Sequence, residues 1–135
     1  MKRFRPLLVM GTRPEAIKMA PVVAACRDRV EAIEPLVCFT GQHDEMLWQV
    51  ADYFAIEPDF DLKVMSPGQS LAQLTARLLI DLDATLVSAR PDCVVAQGDT
   101  TSARDWLRHA TSLAPGRPVG RDAADLLRGV DKSDH

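Results

Sequence analysis

Short apolar runs alternate along this chain with longer stretches in which apolar residues recur every three or four positions. Leu7-Leu8-Val9-Met10 lies between Pro6 and Gly11 and reads as a buried parallel strand. Leu36-Val37-Cys38-Phe39-Thr40, stopped by Gly41, and Asp92-Cys93-Val94-Val95-Ala96, opened by Pro91, read the same way. Phe60-Asp61-Leu62-Lys63-Val64 is either a short strand or an extended edge. Between these runs the spacing predicts helices. The first spans about Pro14 to Arg29, with Ile17, Ala20 and Val23 or Ala24 on its buried face and Pro21 bending it one turn in. The second runs from Asp44 to about Phe54, with Leu47, Val50, Ala51 and Phe54 as its stripe. The third follows the turn Ser66-Pro67-Gly68 and a capping box at Ser70 and Gln73, and carries Leu71, Leu74, Leu78, Leu82 and Leu86. Leu126, Leu127 and Val130 suit a short terminal helix, and 131–135 a frayed tail.

Strand, helix and strand at this spacing form βαβ units, whose crossovers are right-handed and whose strands are parallel. The fold class is therefore α/β, with a parallel sheet and flanking helices. Such sheets bind ligands at the carboxyl ends of their strands. The residues that follow those ends become the candidates. After the first strand, Arg13 supplies a guanidinium fork and Pro14 suits the first helical position. Lys18 lies a turn inside, where side chains lean back toward the helix start. Together with free helix N–H groups, these two cations can meet one anion. A solvated helix start with two surface cations is equally consistent with these residues. After the second strand come Gln42 and His43, the latter either a hydrogen-bonded structural histidine or a general base. After the last strand, Gly98-Asp99-Thr100-Thr101 is either an ordinary helix-capping turn or a carboxylate facing the same crevice.

The bulk properties narrow the partners. A length of 135 residues suits one domain, and the net charge of −3 favours neither a nucleic-acid surface nor a membrane face. No apolar run has transmembrane or signal-peptide length, so a cytoplasmic location is expected. Cys26, Cys38 and Cys93 lack metal-ligand spacing and read as small buried hydrophobes, so no metal is expected. Neither Gly-x-Gly-x-x-Gly nor a Gly-Lys-Ser/Thr loop is present.

The stretch Gly11-Thr12-Arg13-Pro14-Glu15-Ala16-Ile17-Lys18-Met19-Ala20-Pro21 resembles the N-terminal signature of the non-hydrolysing UDP-N-acetylglucosamine 2-epimerases. Thr40-Gly41-Gln42-His43-Asp44-Glu45-Met46-Leu47, Pro58-Asp59-Phe60-Asp61-Leu62, Met65-Ser66-Pro67-Gly68-Gln69, and Pro91-Asp92 with Gly98-Asp99-Thr100-Thr101 resemble the same family in order. The resemblance implies a Rossmann-like half of a two-domain, GT-B-like epimerase, with the active site between the domains. It implies interconversion of UDP-N-acetylglucosamine and UDP-N-acetylmannosamine by elimination and re-addition of UDP, without metal or nicotinamide, in cell-envelope polysaccharide biosynthesis. Under it Arg13 and Lys18 match positions at the diphosphate, Asp99 a catalytic carboxylate, and Gln42 a position that binds a second, regulatory UDP-sugar in some members. His43 joins the substrate-binding set, and a homodimer is the common assembly of the family.

The family-like part is expected to span residues 1–101. Residues 102–135, including Arg121-Asp122-Ala123-Ala124-Asp125, depart from the pattern and are expected to be a divergent, helical or partly disordered end. On that reading the chain is a truncated member, inactive alone. Two alternatives stand beside it: a non-enzymatic remnant that binds a partner, and a glycosyltransferase-like sugar-nucleotide domain.

Overall fold

The structure, a computed structural model, describes residues 2–41 and 44–97. Seven elements alternate in order: β1 (Pro6–Met10), α1 (Arg13–Arg27), β2 (Leu36–Phe39), α2 (Asp44–Tyr53), β3 (Phe60–Asp61), α3 (Leu71–Ala89) and β4 (Cys93–Ala96). The four strands form one parallel sheet in the order β3-β2-β1-β4. The expected division at residue 101, the terminal helix and the tail fall outside the described residues. Among the described residues no helix is long and apolar enough to cross a membrane.

Successive strand residues point to opposite faces, so each buried strand feeds two cores. Leu8, Met10, Val37, Phe39 and Val95 pack with Ala16, Met19, Ala20 and Val23 of α1 and Leu47, Val50 and Ala51 of α2. Leu7, Val9, Leu36, Cys38 and Val94 pack with Leu78, Leu82 and Ala89 of α3. The result is three layers, with α1 and α2 on one side and α3 on the other. Phe39 and Trp48 dock α2 on β2 edge to face, with ring centroids 5.3 Å apart.

The register is anchored by two Pro-Asp pairs that play the same part. Asp59, after Pro58, takes the Val37 N–H on Oδ2 at 2.8 Å and donates its own N–H to Val37 O at 2.8 Å. Asp92, after Pro91, takes the Arg5 N–H at 2.8 Å and donates to Arg5 O at 2.8 Å. Each aspartate thus starts a strand by clamping the backbone of its neighbour. This gives both motifs a structural task at the amino ends of the strands, opposite the candidate crevice.

Three sequence expectations about helix faces change. Ile17 is exposed (45%), because α1 presents the stripe Ala16, Met19, Ala20 and Val23 instead; Ala24 is exposed too. Phe54 lies just past α2, half exposed, and packs edge to face on Tyr53. Leu71 is 79% exposed in the first turn of α3, while Leu78 and Leu82 are buried and Leu74 and Leu86 partly so. Pro21 does not break α1, which runs fifteen residues through it. Pro14 takes the second helical position, since Arg13 opens the helix.

Candidate functional site

The connections from β1 through β3 step the sheet in one direction, and α3 then carries the chain back across to pair β4 with β1. The strand order therefore reverses between β1 and β4, and such a switch point opens a crevice at the carboxyl ends. Val9 pairs with Ala96 there, so β1 and β4 end side by side. On the other flank Met10 pairs with Phe39, the last residue of β2. The three stretches singled out in the sequence thus leave three adjacent strands at one end of the sheet. Gln42, His43 and Asp99 themselves lie outside the described residues.

The β1–α1 turn is built locally. Thr12 is the extended N-cap of α1. Glu15, in the first turn, reaches back so that Oε2 accepts the Gly11 N–H at 2.7 Å and the Thr12 N–H at 3.2 Å. The expectation concerns the free N–H groups of the helix, and Gly11 and Thr12 lie just before it, so it is the amides leading into the helix that are taken. Within the helix, Pro14 has no N–H to give. The Thr12-x-x-Glu15 spacing is a capping-box pattern, and it is the signal in the sequence that predicts this arrangement.

Arg13 and Lys18 are both exposed at this mouth. The ion pairs among the described residues involve Lys2, Arg3, Arg5 and Arg77, and neither Arg13 nor Lys18 takes part in one. The two cations are five positions apart, a rise of about 7.5 Å along a helix, within the combined reach of two long side chains. The start of α1 can therefore present to one polyanion two positive charges that are unpaired among the described residues.

The end of β2 is fixed by backbone packing. Gly41 adopts φ +79°, and a Cβ there would lie 2.6 Å from Lys63 Cα. Thr40 accepts the Val64 N–H at 3.0 Å and is buried, with its hydroxyl unpaired among the described residues. The chain after β3 thus braces Thr40 and Gly41 at the end of β2.

Of the cysteines, Cys38 is buried and Cys26 and Cys93 are partly buried. Burial raises the Cys38 thiol to about 12, helped by the nearby Asp61 carboxylate. Burial raises Cys93 to about 11, with smaller contributions from Asp92 and Cys26. Among the described residues no three His, Cys, Asp or Glu side chains converge as a metal centre requires.

Comparison with known proteins gives the fold its relatives. The family model for UDP-N-acetylglucosamine 2-epimerase matches residues 24–107. The UDP-N-acetylglucosamine 2-epimerase of Salmonella typhimurium is 48% identical over 93% of the chain, which covers 33% of that relative. A crystal structure of a UDP-N-acetylglucosamine 2-epimerase superposes with a TM-score of 0.78 at 41% identity, over 88% of this chain and 33% of that one. The Neisseria meningitidis UDP-GlcNAc 2-epimerase, solved bound to UDP-GlcNAc, gives 0.76 at 43% identity, over 87% of this chain and 31% of that one. The chain spans about a third of the length of these relatives. Its parallel sheet with helices on both faces is a part of their GT-B-like fold. With its sequence matched along most of its length and its layers superposed on theirs, this chain belongs to the UDP-N-acetylglucosamine 2-epimerase family.

Proposed function

We propose that this chain contributes the diphosphate-binding half of a UDP-N-acetylglucosamine 2-epimerase site, acting in the cytoplasm on a UDP-sugar. The observation that carries this reading is the placement of Arg13 and Lys18. They are exposed, unpaired among the described residues, and set in the first two turns of α1, the helix that leaves β1 at the switch point of the sheet.

The reaction explains why cations belong there. Loss of the C2 proton from UDP-N-acetylglucosamine and departure of UDP from C1 leave a 2-acetamidoglucal. Re-addition of UDP at C1, with a proton delivered to the opposite face of C2, gives UDP-N-acetylmannosamine. Negative charge grows on the leaving diphosphate, and preplaced guanidinium and ammonium groups stabilise it in the transition state. In this reading Arg13 and Lys18 hold the diphosphate. Asp99 works on the sugar as a proton-transfer or hydroxyl-binding carboxylate, and Gln42 and His43 contribute to UDP-sugar binding after β2, Gln42 at the position that takes a second, regulatory UDP-sugar in some members of the family. The remaining contacts come from the part of the relatives that this chain does not span, and the assembled enzyme is a homodimer.

Isothermal titration with UDP-N-acetylglucosamine tests this directly. The chain should bind, and Arg13→Ala should weaken binding by about 1.5–3 kcal/mol, roughly ten- to 150-fold, as expected for a lost hydrogen bond to a charged group. Added salt should weaken the parent more than the variant, because only the parent keeps both exposed charges. A folded chain that binds equally well with and without Arg13 would overturn the assignment.

A further inference from the structure

Glu15 lies two residues after Arg13 and three before Lys18, and of these two spacings only the second makes helical neighbours. A glutamate and a lysine three apart on a helix are neighbours and can pair. Here they do not. The carboxylate turns back onto the chain and accepts the Gly11 and Thr12 N–H groups at 2.7 and 3.2 Å. Among the described residues it makes no ion pair with either cation. It thereby satisfies two amides of the turn that leads into α1, and it leaves the charges of Arg13 and Lys18 free of its own.

We propose that Glu15 is a positioning residue for the sugar-nucleotide site, holding the β1–α1 turn so that the diphosphate is recognised by the Arg13 and Lys18 side chains and not by the turn amides. The proposal rests on the reading of Arg13 and Lys18 given above. It assigns a carboxylate to the service of an anion site, which simple electrostatics would disfavour. That opposition makes it testable.

The test is titration of UDP into the parent chain and into Glu15→Ala, Glu15→Gln, Arg13→Ala and the Glu15→Ala/Arg13→Ala double variant. Circular dichroism and thermal melting on each sample establish that it is folded. Glu15→Ala removes a negative charge yet should weaken UDP binding by about tenfold, and the double variant should be weaker than Arg13→Ala by much less than that factor, since both changes act on one element. Glu15→Gln keeps an acceptor oxygen and should bind like the parent or more tightly. Equal or tighter binding by Glu15→Ala is what charge removal or two freed amides alone would produce, and it overturns the proposal. So does a Glu15→Gln variant as weak as Glu15→Ala. A folded parent that binds no UDP refutes the underlying reading and the proposal with it, a result distinct from normal parent binding with an indifferent Glu15. Should Glu15→Ala fail to fold, Glu15→Asp replaces it. The charge is kept and the reach shortened, so weaker binding is expected and unchanged binding overturns the proposal.

Discussion

Single residues carry much of the geometry at the carboxyl end of the sheet. Gly41 combines a left-handed backbone with a close approach to Lys63, so any side chain there meets backbone and not a movable side-chain tip. Gly41→Ala should destabilise the fold by about 1–3 kcal/mol, the cost of one strained backbone position, read as a lowered urea midpoint. The thiols make a second prediction. Their folded pKa values, about 12 for Cys38 and about 11 for Cys93, exceed the ordinary value of 9.0. The folded state therefore holds its thiol protons at pH values where the unfolded chain releases them. Stability from this source is complete below pH 9 and falls as pH rises through about 11 and 12, because the unfolded state then binds fewer protons. Urea midpoints in a Cys38→Ala/Cys93→Ala variant should decline less steeply over that range than in the parent. In native protein at neutral pH, Cys38 should react with a thiol reagent more slowly than half-buried Cys26. Some of this residue-scale detail was legible in advance. The Gly-Thr-Arg-Pro-Glu string marks a strand-to-helix turn, but how Glu15 uses its carboxylate depends on the three-dimensional path of Gly11 and Thr12.

The elements show where local chemistry suffices and where packing decides. The start of α3 is written in four residues. Ser70 Oγ accepts the Gln73 N–H at 3.1 Å, and Gln73 Oε1 accepts the Ser70 N–H at 2.9 Å. Ser70→Ala should lose about 1 kcal/mol, and thermal unfolding should show it. Along the same helix, equal leucines are unequal in place. Leu78→Ala should lose about 2–5 kcal/mol from a buried site, whereas Leu71→Ala, in an exposed first turn, should stay within about 0.5 kcal/mol of the parent. Equality of the two losses in chemical denaturation would contradict the packing described. The leucine spacing correctly announces a helix and most of its buried stripe. It cannot say how far the stripe extends beyond the edge of the sheet. α1 is harder still. Apolar residues occupy nearly every position from Ala16 to Ala25, so periodicity alone cannot choose a face, and contact with β1 and α2 selects Ala16, Met19, Ala20 and Val23 over Ile17.

For the whole molecule, the sequence by itself determined the α/β alternation, the parallel pairing and the set of turns that could carry chemistry. Hydrophobic period, proline, glycine and capping residues act over a few positions and can be read there. The tertiary structure decided what depends on distant partners: the order β3-β2-β1-β4, the division of strand residues between two cores, and the reversal that places β4 beside β1. It also decided that two Pro-Asp pairs clamp the amino ends of the strands while Arg13 and Lys18 stand unpaired, among the described residues, at the carboxyl ends. The physical reason is range. Turn chemistry and periodicity are properties of neighbours in the chain. Which face is buried and which charge finds a partner are properties of neighbours in space, set when α3 crosses back over the sheet.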